Sequence, residues 1–425
     1  MKIVLLNTHS TLNAGDAGIV LAQIRLLRDY WPRAVISLTS RTPEIDRPVY
    51  ESLGVEVYPP LTPAPGVFIG VRKKFGNTLI NLVNFKDKRD LLSAIRDSDL
   101  VVSSGGGYFY SYRRHFPGPT FLQHLLHLEL ARAYAKPVIF FPQSFGPFAN
   151  PPASRMCRSI LRAPNVLKVF VRENISRTLL LDLLGADGGE KIAICPDLVF
   201  LLEPGEGRPP PGFISALRHP VLALTLRDWH FPRAASGPGT HTAREKYLSS
   251  MLEIASSFLR RFGGTVVVVP QVRGPDLLED DTIISREFVR RSGEMGGRDK
   301  VLLAPPSILG SPSDLIDLIS RADLVLATRF HSSVFALLAK IPVVTVGYHH
   351  KASGILEELG LERFLVDISE ITPASVLPLL EQLMEDRAGW REKTAASLRA
   401  ARELIHTRLG DTLEEFQNRY PGRVR

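Results

Sequence analysis

The stretch Ala322–Lys351, ADLVLATRFHSSVFALLAKIPVVTVGYHHK, admits few foldings. Asp323–Ala327 is an apolar run of strand length, Thr328–His331 a polar turn, the next residues a short apolar helix, Pro342 a break, and Val343–Gly347 a second apolar run. Together they predict one strand–helix–strand unit with buried strands. Arg329, His331, Ser332 and Ser333 fall where the first strand gives way to the helix. Helix N-termini leave backbone N–H groups unpaired, so a guanidinium and an imidazole placed there suit a phosphate or a carboxylate.

The same alternation runs through the rest of the chain. Strands are expected at Lys2–Leu6, Val35–Leu38, Val55–Tyr58, Asp99 onward, Pro137–Phe141, Lys168–Arg172 and Ile192–Ile194, with helices at Ala17–Tyr30, Leu122–Ala135 and Ser176–Leu184. Asp16 is placed to cap the first helix. Gly105, Gly106 and Gly107 follow a buried strand directly, where missing side chains let a ligand approach the backbone. Gln143–Pro147 reads as a loop at a strand end. Pro59–Asn84 has no clear period and reads as a flap.

Sustained strand–helix alternation implies a parallel α/β sheet. Glu203–Gly212, EPGEGRPPPG, is the best linker, so the chain is expected to divide into residues 1–205 and 213–425. The second half repeats the scheme with strands at Val221–Leu226, Thr265–Val269 and Val301–Leu303, helices at Lys246–Phe262 and Ser313–Ser320, and terminal helices at Pro373–Glu385 and Gly389–Phe416. DSDLVVSSGGG and RADLVLATRFH each set a strand before a polar turn. Two similarly built domains facing across a cleft are therefore expected.

At 425 residues with 44% hydrophobic and 23% charged content, the composition is that of a soluble globular protein. The opening apolar run stops at Asn7, too early for a signal peptide or a membrane span, so the chain is expected in the cytoplasm. Its two cysteines, Cys157 and Cys195, form no CxxC pair, which argues against disulfides and zinc. His349 and His350 have no third ligand at a suitable spacing, so no metal is expected. A net charge of +8 favours anionic ligands or contact with the inner membrane face. No nucleic-acid module is recognisable, and nucleic acid is not expected as a partner.

Asn13-x-Gly15-Asp16, Gly105-Gly106-Gly107, Gln143–Pro147, Val171-Arg172-Glu173 with Ser176, Pro196-Asp197, a strand running to Arg227, Thr328-Arg329-Phe330-His331-Ser332 and Lys351 occur in an order and spacing that resemble the polysaccharide pyruvyl transferase family. The resemblance implies a GT-B-like fold of two Rossmann-like domains. It also implies transfer of pyruvate from phosphoenolpyruvate, as co-substrate and without a cofactor, to a sugar or lipid-linked oligosaccharide acceptor. The product is a ketal and phosphate is released. Arg227 and Arg329 are placed to clamp the donor's anionic groups, since Arg offers a rigid fork of N–H donors. His331 is the expected acid, because imidazole titrates near neutrality. The resemblance adds Lys351 at the donor phosphate, Ser332, Arg172 and Asn13 as substrate-binding residues, and Asp16 with Gly105, Gly106 and Gly107 on the acceptor side.

Two other functions fit the same residues. One is a GT-B-type glycosyltransferase that uses a nucleotide sugar; the other is a non-catalytic protein that binds anionic glycans.

Overall fold

The computed structural model describes residues 1–62, 85–111, 117–228, 239–275, 279–347, 356–357 and 359–423. The described chain forms two compact units. The first comprises Met1–Thr11, Asp16–Val199 and Ala401–Arg425, and the second comprises Leu12–Gly15 and Phe200–Ala400.

In the first unit, eight strands make one sheet: β1 (Lys2–Leu6), β2 (Val35–Thr39), β3 (Val55–Tyr58), β4 (Leu100–Ser103), β5 (Gly106–Ser111), β6 (Val138–Phe148), β7 (Val166–Val171) and β8 (Ile192–Ile194). The order is β3-β2-β1-β4-β6-β7-β8, with β5 paired to β6, and every pairing is parallel. Both faces are covered, so β4 is buried at all positions, and Val101, Val138, Phe140 and Val169 join the core packed by the helices Phe85–Asp97 and Pro119–Ala133.

The second unit's sheet contains β9 (Val221–Leu224), β10 (Thr265–Val268), β11 (Val301–Leu303), β12 (Leu324–Ala327), β13 (Val343–Gly347) and β14 (Leu365–Asp367). Its order, β11-β10-β9-β12-β13-β14, is the doubly wound Rossmann arrangement, again parallel throughout. In each sheet the winding direction reverses at one point, between β1 and β4 and between β9 and β12. Ligands of such sheets sit beyond the carboxyl ends of the strands at that reversal.

The structure differs from several sequence expectations for identifiable reasons. The first helix spans Ala14–Tyr30, and Asn13, not Asp16, caps it: the Asn13 side-chain oxygen accepts from the Gly15 N–H at 3.0 Å. Gln143–Pro147 is not a loop but the continuation of β6, paired with β7 and β5. Gly106 and Gly107 likewise begin strand β5.

The proline-rich segment around Glu203–Gly212 is tied down, since the Asp317 carboxylate accepts from Gly205 N at 2.6 Å and from Gly207 N at 2.7 Å. The division between units falls at Val199–Phe200, upstream of that segment. The end of the chain groups with the first unit: Trp31 donates to Gln417 at 3.2 Å and stacks edge-on with Phe416 at 5.8 Å. The expected flap lies almost wholly outside the described residues. Among those described, no helix is long and apolar enough to cross a membrane.

Candidate active site

In the second unit the expected donor residues gather at the β9/β12 reversal. Arg227 follows β9, and Arg329 follows β12 as the N-cap residue of the helix Phe330–Leu338. Tyr247 OH lies 3.4 Å from Arg227 N and 3.2 Å from Thr328 Oγ1, and Thr328 N donates to Thr225 Oγ1 at 2.9 Å, which locks the two strand ends together.

Arg329 is only 8% exposed, and its fork faces Asp281. Its Nε donates to Asp281 Oδ2 at 3.1 Å and Nη2 to Oδ1 at 2.6 Å, with a further bond from Nη2 to Glu279 O at 3.0 Å. Burial raises the Asp281 carboxyl above its ordinary range, and Arg329, the Val272 N–H and Arg227 pull against that shift. Arg329 and Arg227 thus both act on the one buried Asp281 carboxylate at these strand ends. Arg227 is the more exposed of the two arginines.

His331 opens the same helix, half-buried, with Phe330 edge-on at 5.0 Å. Ser332 lies beneath, its hydroxyl bonded to Gln271 Oε1, so it supports the turn. The segment Leu12–Gly15 closes around this corner. Ala14 N donates to Gln271 O at 3.1 Å, Arg273 N donates to Leu12 O at 2.8 Å, and Asn13 forms an antiparallel bridge with Val272. A Cβ on Gly15 would stand 2.1 Å from His331 Nδ1 and 2.4 Å from Cγ. Glycine is therefore required by the imidazole itself. Lys351 lies outside the described residues.

The first unit places its expected residues less uniformly. Arg172 is 4% exposed, paired with Asp197, and donates to Ser144 Oγ from Nε at 3.2 Å and from Nη2 at 2.9 Å. That network fixes the ends of β6 and β7. A Cβ on Gly105 would meet Pro142 O at 2.7 Å, so this glycine serves close packing between strands. Gly106, at φ 133°, lies against the Tyr108 ring. Gly107 continues β5, and Asp16 Oδ2 lies 3.8 Å from His9 Nδ1.

Several residues at these corners were not anticipated. Asp281, Gln271 and the half-buried Arg273 frame the second unit's corner, and burial lowers the Arg273 guanidinium from its ordinary range. In the first unit, buried Asp46 accepts from Thr11 N at 2.9 Å and from the hydroxyls of Thr11 and Ser40, which shapes the turn after β1. Asn7, His9, His124 and His127 lie beside it. Nothing in the sequence singles out Asp281 or Asp46, since each is a carboxylate whose partners lie elsewhere in the chain.

The family model for polysaccharide pyruvyl transferases matches residues 13–350, a span that includes the whole of the second unit's strand-end corner. The chain belongs to the polysaccharide pyruvyl transferase family. Among relatives of this family member, the amylovoran biosynthesis protein AmsJ of Erwinia amylovora is 20% identical over 98% of this chain and all of its own length. Three solved structures share the fold. Anabaena HepE, in complex with UDP and glucose, aligns with a TM-score of 0.57 at 16% identity, covering 97% of this chain and 99% of its own. S. aureus MnaA with UDP aligns with a TM-score of 0.57 at 12% identity, covering 98% of this chain and 97% of its own. The UDP-GlcNAc 2-epimerase of Methanocaldococcus jannaschii gives 0.55 at 12% identity, covering 96% of this chain and 100% of its own. The fold of this pyruvyl transferase family member is thus GT-B-like, with two Rossmann-like α/β units.

Proposed function

We propose that the protein transfers pyruvate from phosphoenolpyruvate to two hydroxyls of a sugar during exopolysaccharide synthesis. The observation that carries this reading is the family match across residues 13–350, which takes in the corner built by Arg227, Arg329 and His331.

His331 gives a proton to the methylene carbon of phosphoenolpyruvate, and the C2 centre becomes oxocarbenium-like. A sugar hydroxyl adds to C2 and loses its proton. The C2–O bond to phosphate then breaks, and the second hydroxyl captures C2. One of the two hydroxyl protons restores His331 and the other is taken up by the departing phosphate. Arg227 faces the donor's phosphate or carboxylate, whereas Arg329 acts by holding Asp281 and the turn that carries His331. Lys351 and Ser332 belong to the same donor side, and Asp16 and Gly105–Gly107 to the acceptor side. The acceptor is a polysaccharide precursor, and the basic surface suits one carried on a lipid at the inner membrane face.

Nucleotides bound in the solved structures of like fold make a nucleotide sugar the competing donor. Thermal shift separates the two readings, because a ligand that binds only the folded state raises Tm with concentration. Phosphoenolpyruvate is expected to raise Tm and, with galactosyl, glucosyl or mannosyl acceptors, to release phosphate. A Tm that responds to UDP-glucose and not to phosphoenolpyruvate would overturn the proposal.

A further inference from the structure

At the β1/β4 reversal of the first unit, hydrogen bonds fix how two buried imidazoles, His127 and His124, carry their protons. Leu61 N donates to His127 Nε2 at 3.4 Å, so neutral His127 holds its proton on Nδ1. That proton points at Asn7 Oδ1, 3.0 Å away, which fixes the orientation of the Asn7 amide. Its Nδ2 accordingly donates to His124 O at 3.3 Å. His124 Nδ1 stands 3.0 Å from the same oxygen and must donate to it. The Nε2 of His124 is left as a bare lone pair, buried and without a hydrogen-bond partner among the described residues.

His9 stacks on His124 with ring centroids 5.3 Å apart. His9 Nε2 is likewise buried and unpartnered among the described residues, and the Asp16 carboxylate, 3.8 Å from His9 Nδ1, favours the ring proton on the Nδ1 side although the distance is too long for a hydrogen bond. Thr8 Oγ1, Thr39 Oγ1 and Arg41 Nε, at the ends of β1 and β2, are also buried and unpartnered there. Unpaired buried polar atoms are rare in folded proteins, and five of them at one sheet edge mark a ligand position.

We propose that this edge binds a neutral polyhydroxylated ring, a sugar, whose hydroxyls donate to Nε2 of His124 and Nε2 of His9. The choice of ligand follows from polarity. A phosphate or carboxylate offers only lone pairs and would face two others, and protonating the imidazoles is opposed by burial and by the Arg41 charge. A sugar hydroxyl donates to the imidazoles, while its oxygens accept from Arg41 and the threonine hydroxyls. Calling this sugar the acceptor rests on the proposed transfer reaction; the binding site itself does not.

The test uses the whole chain labelled with 15N-histidine. Long-range 1H–15N correlations are assigned with His9→Gln and His124→Gln, or from the contact between the two rings if a variant does not fold. At pH 6 both imidazoles are expected neutral with the proton on Nδ1. At least one of methyl galactoside, methyl glucoside and methyl mannoside is expected to shift both Nε2 signals, and inorganic phosphate to leave them in place. His9→Gln is expected to raise the acceptor KM about tenfold and leave the phosphoenolpyruvate KM unchanged.

An Nε2–H tautomer, a charged imidazole at pH 6, a response to phosphate, or silence toward all three glycosides would overturn the inference. A glycoside response without phosphate release from phosphoenolpyruvate would leave the site standing and remove the transfer reaction. Turnover with silent imidazoles would do the reverse.

Discussion

Gly15 and Asp281 shape the corner to which the proposed reaction is assigned, although neither is given a chemical step in it. Adding a methyl group at Gly15 pushes directly on the His331 ring, including its Cβ at 2.8 Å, so the imidazole must move as a whole. Displacements near 1 Å in a reacting group can cost about a hundredfold in rate. Gly15→Ala is therefore expected to lower kcat about a hundredfold while the Tm falls only a few degrees; unchanged turnover would contradict the role given to the close approach. His331→Gln is expected to lower kcat by about 10²–10⁴-fold with phosphoenolpyruvate binding retained, as isothermal titration would show. Asp281→Ala strands the Arg329 guanidinium in a buried position, and breaking such a pair costs about 3–5 kcal/mol, readable as a lower urea midpoint. His331 and Arg329 were legible in the sequence, but their contacts were not, because Asp281 and Arg329 meet across 48 residues and Gly15 meets His331 only in the folded chain.

The helix Pro119–Ala133 brings His124 and His127 beneath β1, and with them a dependence on pH. Burial lowers His127 to about 4, and burial together with Arg41 lowers His9 to about 3, from an ordinary value of 6.5. Below pH 6.5 the unfolded chain takes up protons that the folded chain refuses, so stability falls as the pH drops toward these values. Each such histidine adds roughly 1.4 kcal/mol per pH unit to that slope. Urea midpoints at pH 7, 6 and 5 should decline, and His127→Gln should make the decline shallower; an equal slope in the variant would refute this assignment. Elements made of apolar runs were legible in the sequence, as with Lys2–Leu6 and Val343–Gly347, because strands covered on both faces need nothing else. The helices Pro43–Glu51 and Phe85–Asp97 were missed because only one narrow face of each is apolar amid charge. The stretch Gln143–Pro147 reads as a loop from its glycine and proline, yet pairing on both sides keeps it in β6.

For the whole molecule, the alternation of strands and helices sufficed to predict two parallel α/β sheets, while their membership depends on distant packing. The last helix, Arg387–Arg419, carries Leu409, Leu413 and Phe416 into the first unit, where Phe416 meets Trp31. Sequence position alone assigns them to the second half. The reaction proposed is transfer from phosphoenolpyruvate, and labelled phosphoenolpyruvate reports on it most directly. With carbon-13 at C3, in deuterium oxide, and with galactosyl, glucosyl and mannosyl acceptors, NMR should show a labelled ketal methyl group. That group should carry a single deuterium from protonation at C3, and one phosphate should appear per ketal. Phosphoenolpyruvate left unchanged with every acceptor, and without effect on Tm, would contradict the account.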